Sequence, residues 1–473
     1  MDQPHVITEV ALVKPKTGLF IEEIWSLLVI CTPVTVLLLG VSFSTTTARQ
    51  YQHIKLYATD LSVSTDVEMT SLAGMQDGRI FMCGAQDGCL YEFHYQENES
   101  WFGKRVQLVN HSIGGVQSLL PRFAALSQEG KHLFPFFDPN IELLATERIV
   151  VVVSDIGRDC LYTLSSKGSI SIYKLNGVRA VQHLQTLSNL YKAVQDRAPG
   201  YPALSPKNFQ IISVHVVNQW ETRSGIQFFA MTSSGVRLYF APSGGAGYSS
   251  VTTPSSTFPI RPVQLIHIRL PPSNLAHPDA PFHPPVNHYG SSQTTSQSIS
   301  PPYVISSIEN ACYSEGLTIA TQQGAVDGTD YILCMAPDLT RIGKLGQMGL
   351  PPPQISAAAS PATLGDSRPL LTEYATILAI PGRTWAMATV PKEPSAASPE
   401  GVLPAVLNEL AMQFGEYPRQ FLLLTNVGLT FLAKRRALDY LKAVLEELQS
   451  EGNVQPLIHF RDRLTTLSNL SIR

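Results

Sequence analysis

Residues able to do catalytic or metal chemistry are present, but none stands in a pattern that such chemistry needs. The sequence has no GxxxxGK[ST], GxSxG, HExxH or GxGxxG motif. His277, His283 and His288 lie in a proline-rich stretch, which is typical of solvent-exposed loop histidines. The glycine cluster at 244–247 does not lead into a helix, so it does not predict a phosphate site. We therefore expect a non-enzymatic protein with no catalytic, cofactor-binding or metal site.

The cysteines predict unpaired thiols. They are scattered, mostly within apolar runs, and they form no CxxC pair or Cys/His cluster with zinc spacing: Cys31, Cys83, Cys89, Cys160, Cys312 and Cys334. Buried free thiols in a reducing compartment are the interpretation that this distribution favours.

One segment suggests a contact with lipid. Within residues 178–197, five side chains recur at intervals of four, three, four and three, the spacing of one helical stripe: Ala180, Leu184, Leu187, Tyr191 and Val194. The opposite face of such a helix would be polar and nearly uncharged, so it would bind by inserting apolar groups between lipids, preferentially on curved membranes. The stripe could instead cover the flank of the rest of the protein or bind a partner helix.

Composition narrows the class of protein. The 473 residues are 44% hydrophobic and 15% charged, which suits a well-buried body and argues against extensive disorder. The formal net charge of −3 gives no electrostatic reason to expect nucleic acid as a direct partner. The length predicts one large repetitive domain or several domains.

A β-hairpin recurs along the chain. Its first copy lies in 79–95, where two apolar runs flank the turn Asp87-Gly88. Similar pairs of runs meet at turns that end on Gly168, Gly235, Gly328 and Gly428. A further strand is predicted at 384–390, whereas 101–112 after the first copy reads as an insertion.

The apolar stretch 24–43 is long enough to cross a bilayer. Thr32-Pro33 divides it into two runs of strand length, and the second run is rich in β-branched residues. Two buried strands are therefore favoured over a transmembrane helix.

These patterns predict a mainly β fold. Single hairpins cannot bury both faces, and packing repeated sheets against one another solves this, so a β-propeller is favoured over a β-sandwich. We expect a propeller over residues 1–433 with loop insertions at 178–197, 241–303, 346–370 and 391–404. Amphipathic spacing in 434–473 predicts the first helices of an α-solenoid.

Several stretches resemble one family. DGRIFMCGAQDGCLYEFHYQ (77–96) and WFGKRVQLVNHS (101–112) are similar to a signature of the large inner-ring scaffold nucleoporins of the nuclear pore complex, the one-fifty-five/one-seventy-kilodalton class. Four other stretches resemble the same family and follow one another in the same order along the chain: 2–24, 27–42, GVRLYF (235–240) and LIHIRLPP (265–272).

The resemblance implies a seven-bladed propeller before a long helical solenoid, with N-terminal blade sequence missing from this chain, as in a fragment. It implies a scaffold of the nuclear pore that supports nucleocytoplasmic transport and lies peripherally on the curved nuclear envelope membrane. The implied partners are inner-ring and adaptor nucleoporins and integral pore-membrane proteins. A vesicle-coat propeller scaffold and, less favoured, a propeller hydrolase are the rival interpretations.

Overall fold

The computed structural model describes residues 6–45, 52–96, 105–112, 147–177, 180–219, 221, 225–243, 261–272, 275, 305, 307–337, 373–390, 418–436, 438–439, 442–443 and 445–446. These residues belong to two compact units, Met1–Leu190 and Tyr191–Arg473.

The first unit contains three antiparallel four-stranded sheets, which we call blades 1 to 3. Blade 1 consists of β1 (Glu9–Val13), β2 (Ser26–Cys31), β3 (Thr35–Thr45) and β4 (Gln52–Ser64). Blade 2 consists of β5 (Met69–Gly74), β6 (Ile80–Gly84), β7 (Leu90–Tyr95) and β8 (Val106–Asn110). Blade 3 consists of β9 (Ile149–Asp155), β10 (Cys160–Ser165), β11 (Ile170–Asn176) and β12 (Ala180–Leu187).

The second unit contains blades 4 to 6 and nearly all of a helix that begins at the last residue of the first unit. The helix α1 spans Leu190–Arg197. Blade 4 consists of β13 (Ile211–Val216), β14 (Phe228–Thr232), β15 (Arg237–Pro242) and β16 (Val263–Arg269). Blade 5 consists of β17 (Ile308–Ser314), β18 (Leu317–Gln323), β19 (Thr329–Pro337) and β20 (Glu373–Pro381). Blade 6 has three described strands, β21 (Thr384–Thr389), β22 (Gln420–Thr425) and β23 (Gly428–Ala433).

Each blade is a meander in which every strand pairs with the next along the chain. Consecutive blades within a unit share an apolar core: Leu27 and Val29 of blade 1 pack with Ile80 and Phe93 of blade 2, and Phe421 packs among residues of blade 5. Repeated meander sheets joined by such cores are the building units of a β-propeller, and the described residues form six of them, which confirms the predicted fold class.

The recurring hairpin is confirmed as the central pair of strands in blades 2 to 5 and as β22–β23 in blade 6. Its turns need a residue that tolerates positive φ, and the predicted glycines supply it: φ is 63° at Gly88, 79° at Gly168 and 82° at Gly235. Asp87 closes the first turn, because its carboxylate accepts the backbone N–H of Cys89 at 3.1 Å.

The stretch 24–43 forms β2 and β3, as predicted, with the turn at Thr32-Pro33 between them. Leu27, Val29 and Cys31 are fully buried on one side of β2. Among the described residues, no helix combines the length and apolar character that crossing a bilayer requires.

Two predicted insertions are wrong in part. The segment 101–112 contains β8, the fourth strand of blade 2, and 241–303 contains β16, the fourth strand of blade 4. Each strand follows its pairing partner after a long connection, 96–105 or 243–262, rather than a short turn, so pattern alone does not separate it from loop sequence. The predicted loops at 346–370 and 391–404 lie outside the described residues. In the predicted solenoid, the described positions between 438 and 446 are helical, and the rest lies outside the description.

Candidate functional site

The predicted helix over 178–197 is wrong for its first half. Residues 180–187 form β12, which pairs with β11 as the fourth strand of blade 3. Asn189, at a φ of 55°, separates that strand from α1, which begins at Leu190. Cross-strand pairing therefore overrides a helical spacing that the local sequence allows.

The five residues of the predicted stripe consequently do not share one face. Ala180 is exposed at the start of β12, and the half-buried Leu184 lies in a β-bulge, between the pairs Ile172–Gln185 and Tyr173–His183.

The remaining three residues lie in different surroundings. Leu187 pairs with Ile170 at the other end of β12. On α1, the ring of Tyr191 contacts that of Phe209 at 5.4 Å between centroids, and Val194 is fully buried. Lipid contact by these five residues stays a prediction, but the helical stripe that suggested it is not formed.

A buried ion pair lies at the centre of blade 2. The guanidinium of Arg79 donates two parallel hydrogen bonds to the Glu92 carboxylate, at 2.7 and 2.8 Å, and both side chains are at most 3% exposed. His111 contacts the same carboxylate at 2.8 Å. Burial opposes ionisation of Glu92, but the hydrogen bonds from Arg79 and His111 outweigh burial and lower its pKa to about 2.

Arg79 also joins blade 2 to blade 3. Its Nη1 atom donates to the backbone carbonyls of Gly177 and Ala180, at 3.3 and 3.4 Å. The pair is therefore a structural clamp at the β11–β12 connection. Nothing in the sequence pattern signals it, because its partners are 13 and about 100 positions apart.

A groove of about 690 Å³ lies beside this clamp in the first unit. It is lined by the connections β1–β2 and β5–β6 and by the ends of β7 and β11. Lys16 lies over the Tyr95 ring at 4.3 Å and donates to the Tyr95 carbonyl at 3.0 Å. The Asp77 carboxylate accepts a hydrogen bond from the backbone N–H of Arg79 at 3.1 Å, so it stabilises the turn between β5 and β6. The groove thus has a mixed polar and apolar lining.

An exposed apolar surface projects from blade 1. The β2–β3 ladder ends at the pair Ser26–Val41, whereas the β3–β4 ladder continues to Thr45–Gln52, so the β3–β4 hairpin extends past its neighbour. Four side chains form what we call the Trp25 patch, with exposed fractions of 65%, 38%, 65% and 55%: Trp25, Phe43, Ile54 and Leu56. The rings of Trp25 and Phe43 meet edge to face at 6.3 Å, and Phe43 lies opposite Ile54.

All six cysteines are unpaired, as predicted. Cys31, Cys83 and Cys160 are buried, and the other three are half-buried. Burial is the main cause that raises the pKa of the Cys160 thiol to about 11, so it stays protonated at neutral pH. Among the described residues, no group of three or more His, Cys, Asp and Glu side chains could hold a metal ion.

Repeated meander blades define the class of protein as a β-propeller protein. The chain belongs to the nucleoporin family whose model is described as Nup133 N terminal like, which matches residues 1–430. The predicted nucleoporin resemblance is thereby confirmed.

Three relatives illustrate this membership. The chain is 28% identical over 467 residues to the probable nucleoporin C890.06 of Schizosaccharomyces pombe, covering 94% of this chain and 31% of the relative. It is 32% identical over 284 residues to the nuclear pore complex protein Nup154 of Drosophila melanogaster, covering 57% and 20%. It is 26% identical over 473 residues to the nucleoporin NUP170 of Chaetomium thermophilum, covering 98% and 30%. The chain thus spans about a third or less of the length of these relatives.

A solved structure supports the fold. The crystal structure of the Chaetomium thermophilum Nup170 NTD in complex with Nup53 matches with a TM-score of 0.65 and 24% identity. The match covers 93% of this chain and 54% of the solved chain.

Proposed function

We propose that this chain is a structural scaffold element of the nuclear pore complex that acts by binding other nucleoporins and has no enzymatic activity. The observation that supports this proposal is the family match over residues 1–430. The buried Glu92 carboxylate is held in structural hydrogen bonds by Arg79 and His111 and does not line the groove, which argues against the rival hydrolase. The vesicle-coat alternative is disfavoured by the relatives, which are nucleoporins.

The proposed partners are inner-ring and adaptor nucleoporins and integral pore-membrane proteins. The related Nup170 domain was solved with Nup53, so a nucleoporin of that kind is the first partner to test. Purified chain is immobilised and exposed to such a nucleoporin, with an unrelated β-propeller as control. Saturable binding to this chain alone is expected, and binding that is equal on both propellers would contradict the proposal.

Localisation gives an independent test. A fluorescent fusion of the chain, expressed in cells of its own organism, is expected at the nuclear rim, where nuclear pore complexes lie. A fusion spread evenly through the nucleus and cytoplasm would count against pore association.

A second proposed function is peripheral attachment to the curved nuclear envelope membrane, which the Trp25 patch favours. Exposed aromatic and aliphatic side chains on a projecting hairpin can enter the interfacial region of a bilayer, where Trp is favoured. Glu22 and Glu23 are exposed beside Trp25, so attraction to anionic lipids is not expected. Binding would depend on apolar burial and little on salt.

Flotation with small and large phosphatidylcholine vesicles tests this attachment. The variant Trp25→Ser/Phe43→Ser is expected to lose flotation, whereas Trp385→Ser, at an equally exposed tryptophan, is expected to retain it. Leu184→Asp/Leu187→Asp tests the segment predicted from sequence. Loss in that variant alone would favour the predicted segment, and unchanged flotation of the Trp25 variant would refute the patch.

A further inference from the structure

Ser205 stands directly before a proline in the accessible stretch between α1 and β13. The tripeptide Ser205-Pro206-Lys207 follows a short 3₁₀ turn at Pro202–Leu204. Pro206, Lys207 and Asn208 are exposed, and Ser205 is half-buried. A serine or threonine that precedes a proline is the acceptor that proline-directed protein kinases require. The sequence and the exposure of this stretch therefore make Ser205 a candidate acceptor of phosphate.

The backbone at Ser205 already has the extended form in which a kinase binds its acceptor. Its φ is −64° and its ψ is 153°, the conformation that a following proline favours. The turn after it is held by the Ser205 carbonyl, which accepts the N–H groups of Asn208 and Phe209 at 2.9 and 3.0 Å. The Ser205 hydroxyl is therefore not needed for this turn, and opening the turn breaks two backbone hydrogen bonds at the surface.

Thr32 gives an internal comparison, because it also precedes a proline within the part of the chain that the structure describes. It is only 7% exposed. Its hydroxyl holds the turn between β2 and β3, since it donates to the Thr35 carbonyl at 3.1 Å and accepts the Thr35 N–H at 3.0 Å. A kinase would have to open blade 1 to reach Thr32, whereas Ser205 lies at the surface.

Residues 201–209, which we call the Ser205 segment, pack on the β14–β15 turn of blade 4. The hydroxyl of Ser234 in that turn donates to the Ala203 carbonyl at 2.7 Å. The carbonyl of the neighbouring Ser233 accepts the N–H of Ile308 at 2.7 Å, and Ile308 begins β17 of blade 5. The Ser205 segment thus rests on a turn that also contacts the next blade.

From the proline, the exposure and the extended backbone, we propose that Ser205 is a phosphorylation site for proline-directed protein kinases and that its phosphate loosens the Ser205 segment from the β14–β15 turn. The Ser205 Oγ atom attacks the γ-phosphorus of ATP, the bond from that phosphorus to the bridging oxygen breaks, ADP leaves, and the hydroxyl proton passes to a base of the kinase.

The phosphate acts through its need for water. It adds up to about two negative charges, whose removal from water is costly. The adjacent Leu204 side chain is fully buried and anchors the segment. Hydration of a phosphate at Ser205 therefore opposes the packing of Leu204. This site does not depend on the scaffold function.

The first test compares phosphorylation rates in the whole chain and in peptides, with a purified cyclin-dependent kinase and ATP. Mass spectrometry quantifies each site separately, because Ser-Pro also occurs at 300, 360 and 398. Ser205 in the chain is expected to react within about thirtyfold of its rate in a peptide of residues 199–211, because only two hydrogen bonds open. Thr32 is expected to react at least about a thousandfold more slowly than in a peptide of residues 26–38. Protection of Ser205 as strong as that of Thr32 would overturn the proposal.

The variant Pro206→Ala tests whether the proline directs the kinase. It keeps the hydroxyl and removes only an exposed ring, so the chain is expected to fold as before. The rate at Ser205 is expected to fall at least about tenfold in the chain and in the peptide alike. An unchanged rate would contradict recognition by this class of kinase.

Amide hydrogen exchange tests the release of the Ser205 segment. After phosphorylation, the amides of Asn208 and Phe209 are expected to exchange at least about fivefold faster, while those of β10 in blade 3 stay unchanged. Ser205→Ala treated with the same kinase is the matched control, because it can carry phosphate only at the other sites. Unchanged exchange at Asn208 and Phe209 in the phosphorylated chain, or equal acceleration in the control, would overturn the proposal.

Discussion

Replacing Arg79 by methionine is expected to destabilise the first unit strongly. The substitution keeps an unbranched side chain of similar reach but removes the guanidinium that faces Glu92. Glu92 then remains 97% buried with only His111 as a hydrogen-bond partner, and the carbonyls of Gly177 and Ala180 lose a donor. A buried charge without its counter-ion is among the most costly defects in a folded protein.

The size of the effect follows from the geometry. Breaking one partner of a buried pair costs about 3–5 kcal/mol of unfolding free energy. The pKa of Glu92 gives a consistent figure: it falls from 4.5 to about 2, and at about 1.4 kcal/mol for each pKa unit the ionised carboxylate stabilises the fold by about 3 kcal/mol. Because the folded pKa is the lower one, this stabilisation is present above pH 4.5 and is lost as the pH falls towards 2.

Urea unfolding followed by circular dichroism at pH 7 and pH 4 measures the loss. Without Arg79, burial raises the pKa of Glu92, so the variant can remove its unpaired charge by protonating Glu92 at pH 4. The difference in unfolding free energy between wild type and variant should therefore be smaller at pH 4 than at pH 7, by at least about 1 kcal/mol.

Two variants accompany this measurement. Arg79→Met/Glu92→Met should recover most of the stability, because it removes the unpaired charge. The control is Lys442→Met, which removes an exposed pair with Glu446 and should cost less than about 0.5 kcal/mol. A cost below about 1 kcal/mol for Arg79→Met, or an equal gap at both pH values, would refute the reasoning.

Three further predictions concern pH, backbone conformation and thiol chemistry. Burial lowers the pKa of His215 from 6.5 to about 4, so stability should fall as the pH drops below 6.5, by about 2 kcal/mol at pH 5; thermal unfolding should show this loss, and His215→Phe should abolish it. Gly88→Ala should cost more than Gly177→Ala, because both glycines have positive φ but only the Cβ at Gly88 would lie 2.4 Å from the Arg148 Cα atom; equal urea midpoints would contradict this. The Cys31 thiol should not react with Ellman's reagent at pH 8 in the folded protein, because burial, followed by the Glu9 carboxylate, raises its pKa to about 12; rapid labelling without unfolding would refute this.

Much of the fold could be predicted because its repeating unit is local. The hairpin around Asp87-Gly88 needs only alternating apolar residues and one residue that tolerates positive φ, and both are visible in sequence. The fourth strands β8 and β16 are not predictable in this way, because a long connection rather than a short turn joins each to its pairing partner.

The candidate surfaces were less predictable. Val194 and Leu184 fit one helical stripe, yet one is buried on α1 and the other lies in a bulge of β12. The Trp25 patch depends on how far β3 extends past β2, which no local pattern in the sequence specifies.

The β-rich class, the hairpins with glycine-ended turns and the nucleoporin family are all readable from the sequence, because these depend on residue types at short separations. Tertiary contacts, by contrast, place 180–187 in a strand and join Arg79 both to Glu92 and to the β11–β12 connection. The physical reason is the same in each case. Strand pairing and buried charge depend on groups distant in sequence, and the free energy of those contacts exceeds local conformational preference.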